Sequence, residues 1–484
     1  MPGHTIAEEF PMPTQTINGR SAATFSEFDV INPATGAPFA KAPSASKAQV
    51  DEAFEAALAA YPGWRADEGL RRAKLLEASA AIAEAAGELT GILAEESGKT
   101  TQFAAFEAPV AAGWLGYYAG LELSREVLQD DEKARVEVVR RPLGVVGAIT
   151  PWNMPIGLAF FKIAPALRAG NTVVLKPSPF TPLSTLRVGE ILRDILPPGV
   201  LNIVSGGDDV GRWIVEHPVP RKISFTGSVA GGTAVNVAAA ADLKRVTLEL
   251  GGNDAAILLE DVDLTEIAPG LFWSAFFNNG QACALIKRVY VPRALYADAV
   301  EALADVARGT VVGDPADPAT QLGPLATLPQ FESVSGLVDH ALAGGAKAAT
   351  GGTRIDRPGY FYEPTIVCDI EDGTPLVDEE QFGPALPIIA YDDVDDAVSR
   401  VNRSTFGLGG SVWTADVERG QDIAERLDVG TTWINTHASL APTVPFGGLK
   451  HSGLGVENGP WGLYAYTELQ AVHVNRGVPG PTAG

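Results

Sequence analysis

Apolar residues recur at two spacings along the chain, and the change between them predicts where helices give way to strands. From residue 47 to residue 98 they follow the period of an amphipathic helix, as in QVDEAFEAALAAY and RRAKLLEASAAIAEAAGELTGILAEE. From VEVVRRPLGVVGAI onward, short β-branched runs alternate with helical segments. The predicted strands are residues 145–149, 172–176, 201–204, 222–225 and 245–250. This repetition predicts a parallel sheet with helices on both faces, which binds ligands at the carboxyl ends of its strands.

The same alternation continues beyond Gly252 and predicts a second α/β domain. The strand candidates there are the segments AAILL, KRVYV, ALPIIAY, GLGGSVW and GTTWIN. A length of 484 residues also exceeds what one hydrophobic core commonly supports. We therefore expect at least two α/β domains.

The chain is acidic, with 59 Asp and Glu against 36 Lys and Arg and a formal charge of −23. Such a surface argues against nucleic acid and anionic membranes as partners. The longest apolar run, PIGLAFFKIAPALRAG, is interrupted by prolines and cations, so no membrane span is predicted. The N-terminal segment MPGHTIAEEFPMP lacks the features of a secretory signal. We predict a cytoplasmic protein.

Cysteine and histidine are used sparingly. Two cysteines are too few for a disulfide framework, which favours a reducing compartment. The six histidines are scattered without the spacing of metal ligands, so no metal site is predicted.

One of the two cysteines, Cys283, lies in the segment FFNNGQACALIKR. A cysteine is most often an inert core residue, and composition alone favours that interpretation. The preceding Asn279, Gly280 and Gln281 are not typical of a core, however, and free backbone N–H groups beside the thiol would suit an oxyanion. Cys283 is therefore a candidate nucleophile, with the inert interpretation left open.

Three further segments offer chemistry near the ends of predicted strands. Glu249 in LELGGND is either an exposed strand end or a general base whose pKa is raised by apolar surroundings. Asn153 in ITPWNMP either satisfies the backbone of a turn or donates to developing negative charge. The glycine-rich helix start in SFTGSVAGGTA would favour a phosphate through its free N–H groups, although alone it is weak. Spacing does not show that these groups converge.

Taken together, these segments resemble the aldehyde dehydrogenase family. FFNNGQACALIKR is similar to the family's cysteine signature, LELGG to its glutamate signature and PWNMP to its asparagine motif. The segments TVVLKPS, FTGS, EEQFGP, WIN and PFGGLKHSG follow in the family's order. The resemblance covers roughly residues 25–475, almost the whole chain.

The resemblance implies the oxidation of an aldehyde to a carboxylic acid. Cys283 would attack the carbonyl, and Asn153 with the Cys283 backbone N–H would hold the oxyanion of the thiohemiacetal. Glu249 would activate water to hydrolyse the thioester. Rival interpretations are a CoA-acylating dehydrogenase, whose members generally lack that glutamate, a reductase of acyl phosphates, and an inert family member that acts as a binding or structural protein.

The resemblance also assigns residues to a nicotinamide cofactor. They are Ile149, Thr150, Trp152, Lys176, Ser178, Gly227, Ser228, Leu250, Glu380 and Phe382. NAD-specific members commonly carry Glu three residues after the lysine, where this chain has Pro179. Lys176 and Ser178 would then accept a 2′-phosphate, which predicts that NAD is used and NADP is tolerated.

The predicted substrate pocket is apolar. Its walls, by position in the family, are Met154, Phe161, Trp114, Ala282, Ala284, Leu440 and Phe446. Because no arginine is among them, an aliphatic or aromatic aldehyde fits better than a phosphorylated or dicarboxylic one. For Trp114 an ordinary core position is an equal alternative.

The fold implied is the α/β fold of aldehyde dehydrogenases, with three parts. A Rossmann-like cofactor domain would comprise residues 1–123 and 143–251, and an α/β catalytic domain residues 252–451. A small β oligomerisation flap with the C-terminal tail would comprise residues 124–142 and 452–484. The segment YTELQAVHVN alternates apolar and polar residues, as an edge strand that extends a neighbour's sheet would. A homodimer or homotetramer is implied.

Overall fold

The first series of β-branched runs forms an eight-stranded sheet in the computed structural model, which describes residues 12–24 and 26–477. The strands lie in the order Arg20–Ala22, Gln15–Ile17, Leu201–Ile203, Thr172–Lys176, Val145–Ile149, Lys222–Thr226, Arg245–Glu249 and Gly453–Leu454. The five strands predicted from the sequence are present and pair in parallel, which confirms the predicted parallel sheet. The flanking pairs at each edge are antiparallel.

Helices cover both faces of this sheet. They are Lys47–Ala66, Glu68–Glu84, Ala86–Ser97, Thr101–Ala104, Glu107–Gly120, Pro155–Ala169, Leu183–Arg193, Asp208–Glu216 and Val229–Ala240. The helix Pro155–Ala169 is buried along almost its whole length, Lys162 and Arg168 included. A proline in its first turn and Gly170, with φ +98°, after its last turn set its limits.

The second series of runs forms a seven-stranded sheet. Its order is Lys347–Thr350, Thr365–Cys368, Ala385–Tyr391, Ile286–Pro292, Asp254–Leu258, Gly409–Trp413 and Thr431–Ile434. All neighbours pair in parallel except the first two strands, which confirms the second parallel sheet. The helices packed with it are Leu264–Phe276, Tyr296–Arg308, Leu328–Ala343, Pro375–Asp378, Val394–Asn402 and Val417–Ala424, with 3-10 turns at Phe277–Gly280 and Arg293–Leu295.

A three-stranded antiparallel sheet lies apart from these two. It consists of Thr467–Asn475, Ala134–Pro142 and Glu126–Asp130 in that order. Two small pairs, Ser26–Asn32 with Ala37–Ser44 and Phe406–Gly407 with Leu449–Lys450, and the helix Gly459–Tyr464 complete the fold.

The predicted domain boundaries stay a prediction. The proposed flap segments hold the three-stranded sheet, but Gly453–Leu454, also placed in the flap, pairs at the edge of the eight-stranded sheet. Most of the N-terminal segment in which no secretory signal is predicted lies outside the described residues. The last seven residues of the predicted tail lie wholly outside them. Among the helices in the described ranges, none is long and apolar enough to cross a bilayer. The same residues contain no group of three or more His, Cys, Asp or Glu side chains placed to hold a metal ion.

Candidate active site

Cys283 lies in a turn just before the strand Ile286–Pro292. The chain reaches it through the 3-10 turn Phe277–Gly280, in which Asn278 and Asn279 have left-handed backbone angles of φ 49° and 57°. Asparagine tolerates this conformation because its short polar side chain can hydrogen-bond locally. The polar residues before the thiol are therefore required by the backbone path of the turn.

Buried hydrogen bonds fix this turn. Asn278 Nδ2 and Asn153 Nδ2 both donate to the Gln281 carbonyl, at 3.1 and 3.0 Å. Lys287 Nζ donates to the Gly280 carbonyl at 2.7 Å. Gly280, with φ +74°, admits no side chain, since a Cβ there would lie 2.3 Å from a backbone oxygen. Asn153, predicted as the oxyanion donor, is thus tied to the turn that carries the thiol.

The half-buried Cys283 stands where two cavities meet. We call the cavity of about 180 Å³ that reaches Gly227 and Glu380 the cleft. We call the cavity of about 370 Å³ that reaches Trp114 the apolar pocket. Cys283 and Asn153 line both. Groups held in the two cavities would therefore meet at the sulfur.

Six of the ten predicted cofactor residues line the cleft. They are Trp152, Gly227, Ser228, Leu250, Glu380 and Phe382. Ile149, Thr150, Lys176 and Ser178 do not line it. They lie instead at the carboxyl ends of two adjacent parallel strands, where the Thr150 N–H donates to the Lys176 carbonyl at 3.0 Å. Burial lowers the pKa of Lys176 to about 8.

One wall of the cleft is the start of the helix Val229–Ala240. Ser228 caps this helix, with its Oγ accepting from the Gly231 N–H at 3.1 Å. The N–H groups of a first helical turn lack partners within the helix and favour an anion. At Gly227 a Cβ would lie 2.6 Å from the Phe225 ring, so a larger residue here would have to displace that ring.

Another part of the cleft's lining carries Glu380 and Phe382. Glu380 Oε1 accepts from the Gly252 N–H at 3.0 Å. Burial raises the pKa of Glu380 to about 7, against the opposing charge of Lys287. The Phe382 ring stands edge-on to Trp152, with 5.4 Å between centroids. A carboxylate and two rings therefore face the space next to the thiol.

Glu249 ends the strand Arg245–Glu249 and is 2% exposed. Neither carboxylate oxygen has a hydrogen-bond partner in the described part of the chain. Burial raises the pKa of Glu249 well above its ordinary value, the charge of Glu457 raises it further, and Lys162 opposes both. Lys162 Nζ and Glu457 Oε1 form a buried ion pair of 2.7 Å. Glu249 lines neither cavity, but it lies close enough for its charge to act on Cys283.

The groups around Cys283 favour the neutral thiol. Burial raises its pKa most, the carboxylates of Glu249, Glu380 and Asp254 raise it further, and Lys287 opposes them. The thiolate is the nucleophilic form. A proton acceptor close to the sulfur is therefore required for attack.

The seven predicted substrate residues all lie around the apolar pocket: Met154, Phe161, Trp114, Ala282, Ala284, Leu440 and Phe446. Trp114 stacks on Phe161 with 4.7 Å between centroids, and its Nε1 donates to Asn458 Oδ1 at 2.7 Å, which leaves only ring surface toward the pocket. The sequence did not identify Phe106, Val110, Trp273 and Phe277 as part of this lining. In the described part of the chain, no Asp, Glu, Lys or Arg lines the pocket.

Two buried ion pairs behind the site were also not predicted from the sequence. One is Lys162–Glu457, described above. In the other, Glu107 pairs with Lys99, and its Oε2 accepts from the N–H groups of Ile156 and Gly157 at 2.9 and 3.0 Å. These bonds anchor the helix start that follows Asn153. The sequence signal was a charged residue inside an apolar run, such as Lys162 in GLAFFKIAPAL.

Comparisons with known proteins agree with this geometry. The aldehyde dehydrogenase family model matches residues 20–472. The chain is 38% identical to a betaine aldehyde dehydrogenase of Rhizobium etli, over 92% of this chain and 93% of the relative. It is 37% identical to a phenylacetaldehyde dehydrogenase of Pseudomonas fluorescens, over 95% of this chain and 94% of the relative. The solved NAD⁺ complex of an aldehyde dehydrogenase from Bacillus cereus superposes with a TM-score of 0.94 at 34% identity, over 96% of this chain and 97% of that one. These matches confirm the predicted family and fold class.

Proposed function

Because the chain belongs to the aldehyde dehydrogenase family, we propose that it oxidises an apolar aliphatic or aromatic aldehyde to the carboxylic acid with NAD⁺ or NADP⁺. The observation that carries the proposal is the position of Cys283 at the meeting point of the cleft and the apolar pocket. An aldehyde in the pocket would present its carbonyl carbon to the sulfur, beside a hydride acceptor in the cleft. A protein that only binds a ligand does not need a thiol at the point where two cavities meet.

The lining of the cleft suits the pyrophosphate and nicotinamide-ribose part of a dinucleotide. The capped helix start behind Ser228 would hold the pyrophosphate, and the Glu380 carboxylate would accept from ribose hydroxyls. Gly251 leaves room for the Glu380 side chain, since a Cβ at this position would lie 2.2 Å from Glu380 Oε2. When bound, the nicotinamide supplies the hydride acceptor that no side chain provides.

Attack would join the Cys283 sulfur to the carbonyl carbon, with the thiol proton released to solvent, and the carbonyl oxygen would become an oxyanion. Asn153 Nδ2 carries two protons, of which one is donated to the Gln281 carbonyl. The second would be donated to the oxyanion together with the Cys283 backbone N–H. Loss of hydride from that carbon would leave a thioester on Cys283.

Glu249 would then take a proton from the water that hydrolyses the thioester. A carboxyl whose pKa is raised is a stronger base than an ordinary one once it has given up its proton. The presence of Glu249 favours hydrolysis over transfer to CoA. Formation of free acid in the absence of CoA tests this choice, and a strict CoA requirement would contradict it.

Asn153→Ala should lower kcat by about 10²–10³-fold, because one donor to the oxyanion is lost while the pocket walls stay in place. KM should change by no more than a few-fold, since the amide acts mainly in the transition state. Steady-state kinetics on variant and parent checks this. A kcat within threefold of the parent would mean that Asn153 serves only the Gln281 carbonyl.

Pro179→Glu should increase the preference of the enzyme for NAD over NADP. A carboxylate at this half-buried position would repel a 2′-phosphate near Lys176, so kcat/KM with NADP should fall by about tenfold or more. The matched control is Pro179→Gln, which has similar size and no charge. Equal losses in both variants, or a parent that already rejects NADP by several orders of magnitude, would remove the argument.

An aldehyde panel tests the substrate class. We expect octanal and phenylacetaldehyde to show kcat/KM values at least about tenfold above succinic semialdehyde, because no cation lines the apolar pocket to pair with a carboxylate. Betaine aldehyde is the second candidate, since aromatic walls such as Trp114, Trp273 and Phe277 favour a quaternary ammonium group through cation–π attraction. A preference for succinic semialdehyde would overturn the proposal.

The assembly and location are also proposals. The long edge strand Thr467–Asn475 exposes one side of the three-stranded sheet, and Leu469 on it is 64% exposed. This supports a homodimer or homotetramer formed through the flap. Light scattering at several protein concentrations tests it, and a monomer throughout would contradict it. The cytoplasmic location stays a prediction.

A further inference from the structure

His437 lines the apolar pocket beside Cys283, yet both of its ring nitrogens face buried polar groups. Nδ1 lies 3.0 Å from Ser411 Oγ, and Nε2 lies 3.3 Å from Asp254 Oδ2. The side chains of His437 and Asp254 are fully buried. Among the described residues, neither Nε2 nor Oδ2 has a hydrogen-bond partner, and the contact between them is a close approach of two polar atoms. Each atom therefore faces the other as an unsatisfied buried group.

Counting donors places the imidazole proton. Ser411 Oγ accepts from Trp413 Nε1 at 3.0 Å, and its single hydroxyl proton has the His437 Nδ1 as its acceptor within the described residues. A neutral imidazole that accepts at Nδ1 carries its hydrogen on Nε2. That nitrogen lies 3.3 Å from Asp254 Oδ2. Hydrogen bonds thus run from Trp413 through Ser411 to His437, and the far side of the ring approaches Asp254.

Asp254 lies directly behind the nucleophile's backbone. A Cβ on Gly252 would lie 2.5 Å from the Cys283 carbonyl oxygen and 3.1 Å from Asp254 Oδ1, so both flank one glycine. Oδ1 accepts from the Gly409 N–H at 2.9 Å, which leaves Oδ2 to His437. A buried carboxylate without a donor on one oxygen is costly and presents its charge to its neighbours.

We propose that His437 is a positioning residue, which donates its Nε2–H to the Asp254 carboxylate and so shields the Cys283 thiol from that buried charge. The proposal rests on the role of Cys283 as nucleophile proposed above. The other charged groups that act on the thiol are Glu249 and Glu380, which like Asp254 raise its pKa, and Lys287, which lowers it. His437 is the side chain whose Nε2 approaches the free oxygen of Asp254.

The test measures alkylation of Cys283 by iodoacetamide against pH, without aldehyde or cofactor, in a Cys368→Ala background so that one thiol reacts. The matched pair of variants is His437→Asn and His437→Gln. The glutamine Nε2 reaches the position of the histidine Nε2, whereas the asparagine amide reaches only that of Nδ1. The third variant is Asp254→Asn with His437→Asn.

We expect His437→Asn to slow alkylation at pH 7.5 by about tenfold and to move the pH midpoint upward, because the bare carboxylate disfavours the thiolate. His437→Gln should stay within about threefold of the parent because it keeps the donor, and the double variant should be at least as fast as the parent because it lacks the charge. Equal losses in His437→Asn and His437→Gln, or a double variant as slow as His437→Asn, would overturn the proposal and leave His437 a packing residue.

Asp254→Asn alone keeps the test decisive if His437→Asn fails to fold. Its amide still accepts from Gly409, and the loss of the remaining charge should speed alkylation by about threefold or more. An unchanged rate would overturn the proposal. Because no turnover is involved, a shift in alkylation without any aldehyde oxidation would contradict the proposed function and leave this inference standing.

Discussion

Cys283→Ala should lower kcat for aldehyde oxidation by about 10⁴-fold or more, because no other group can form the covalent intermediate. Cys283 is the residue at which the cleft and the apolar pocket meet, and a methyl group there offers no electron pair to a carbonyl. Binding of the dinucleotide should persist, since the helix start at Ser228 and the carboxylate of Glu380 are untouched. Steady-state kinetics together with fluorescence titration of the reduced cofactor separates the two effects.

The chain contains its own control for this experiment. Cys368, the other cysteine, is half-buried at the end of the strand Thr365–Cys368 and lines neither cavity. Cys368→Ala should keep kcat within about threefold of the parent, as surface-proximal changes far from a site usually do. A Cys283→Ala variant with more than a few per cent of parental kcat would exclude the covalent route. Loss of activity in the Cys368 variant instead would show that Cys283 is not the nucleophile.

The strands could be predicted because a short run of β-branched and apolar residues is enough to indicate a buried strand. Runs such as TVVLK and KISFT admit little besides a buried strand, and the structure places them within a residue or two of the predicted limits. The turn before Cys283 was predictable for a related reason. Two asparagines and a glycine are the residues that tolerate left-handed backbone angles, and three such angles in succession are found there.

The features that could not be predicted from the sequence depend on contacts between residues that lie far apart in the chain. Lys162 meets Glu457 across 295 positions, and Glu107 meets the start of a helix about 50 positions later. Each lies in an ordinary apolar or helical context, so no local pattern shows what its charge will face. Asp254 begins the strand Asp254–Leu258, whereas His437 follows the end of the parallel strand Thr431–Ile434, so they meet only because the chain turns back after Ile434.

Glu249→Gln should uncouple the two halves of the proposed reaction. The amide has nearly the shape of the carboxyl and cannot take a proton from water, so kcat should fall by about 10²–10⁴-fold. Acylation needs Cys283 and Asn153 and should still run once per active site. Stopped-flow absorbance should therefore show a burst of reduced cofactor equal to the enzyme concentration, followed by very slow turnover. Intact-protein mass spectrometry should find the acyl group on the variant.

The pH dependence separates Glu249 from a structural role. In the parent, kcat should rise with pH as the carboxyl of Glu249, whose pKa is raised by burial and by Glu457, gives up its proton. That rise should vanish in Glu249→Gln and persist in Glu260→Gln, an exposed carboxylate paired with Arg419 beyond the end of the strand Asp254–Leu258. A burst that disappears with turnover would mean that Glu249 is needed before the thioester, as the acceptor of the thiol proton. A parental profile in Glu249→Gln would mean that another group activates the water.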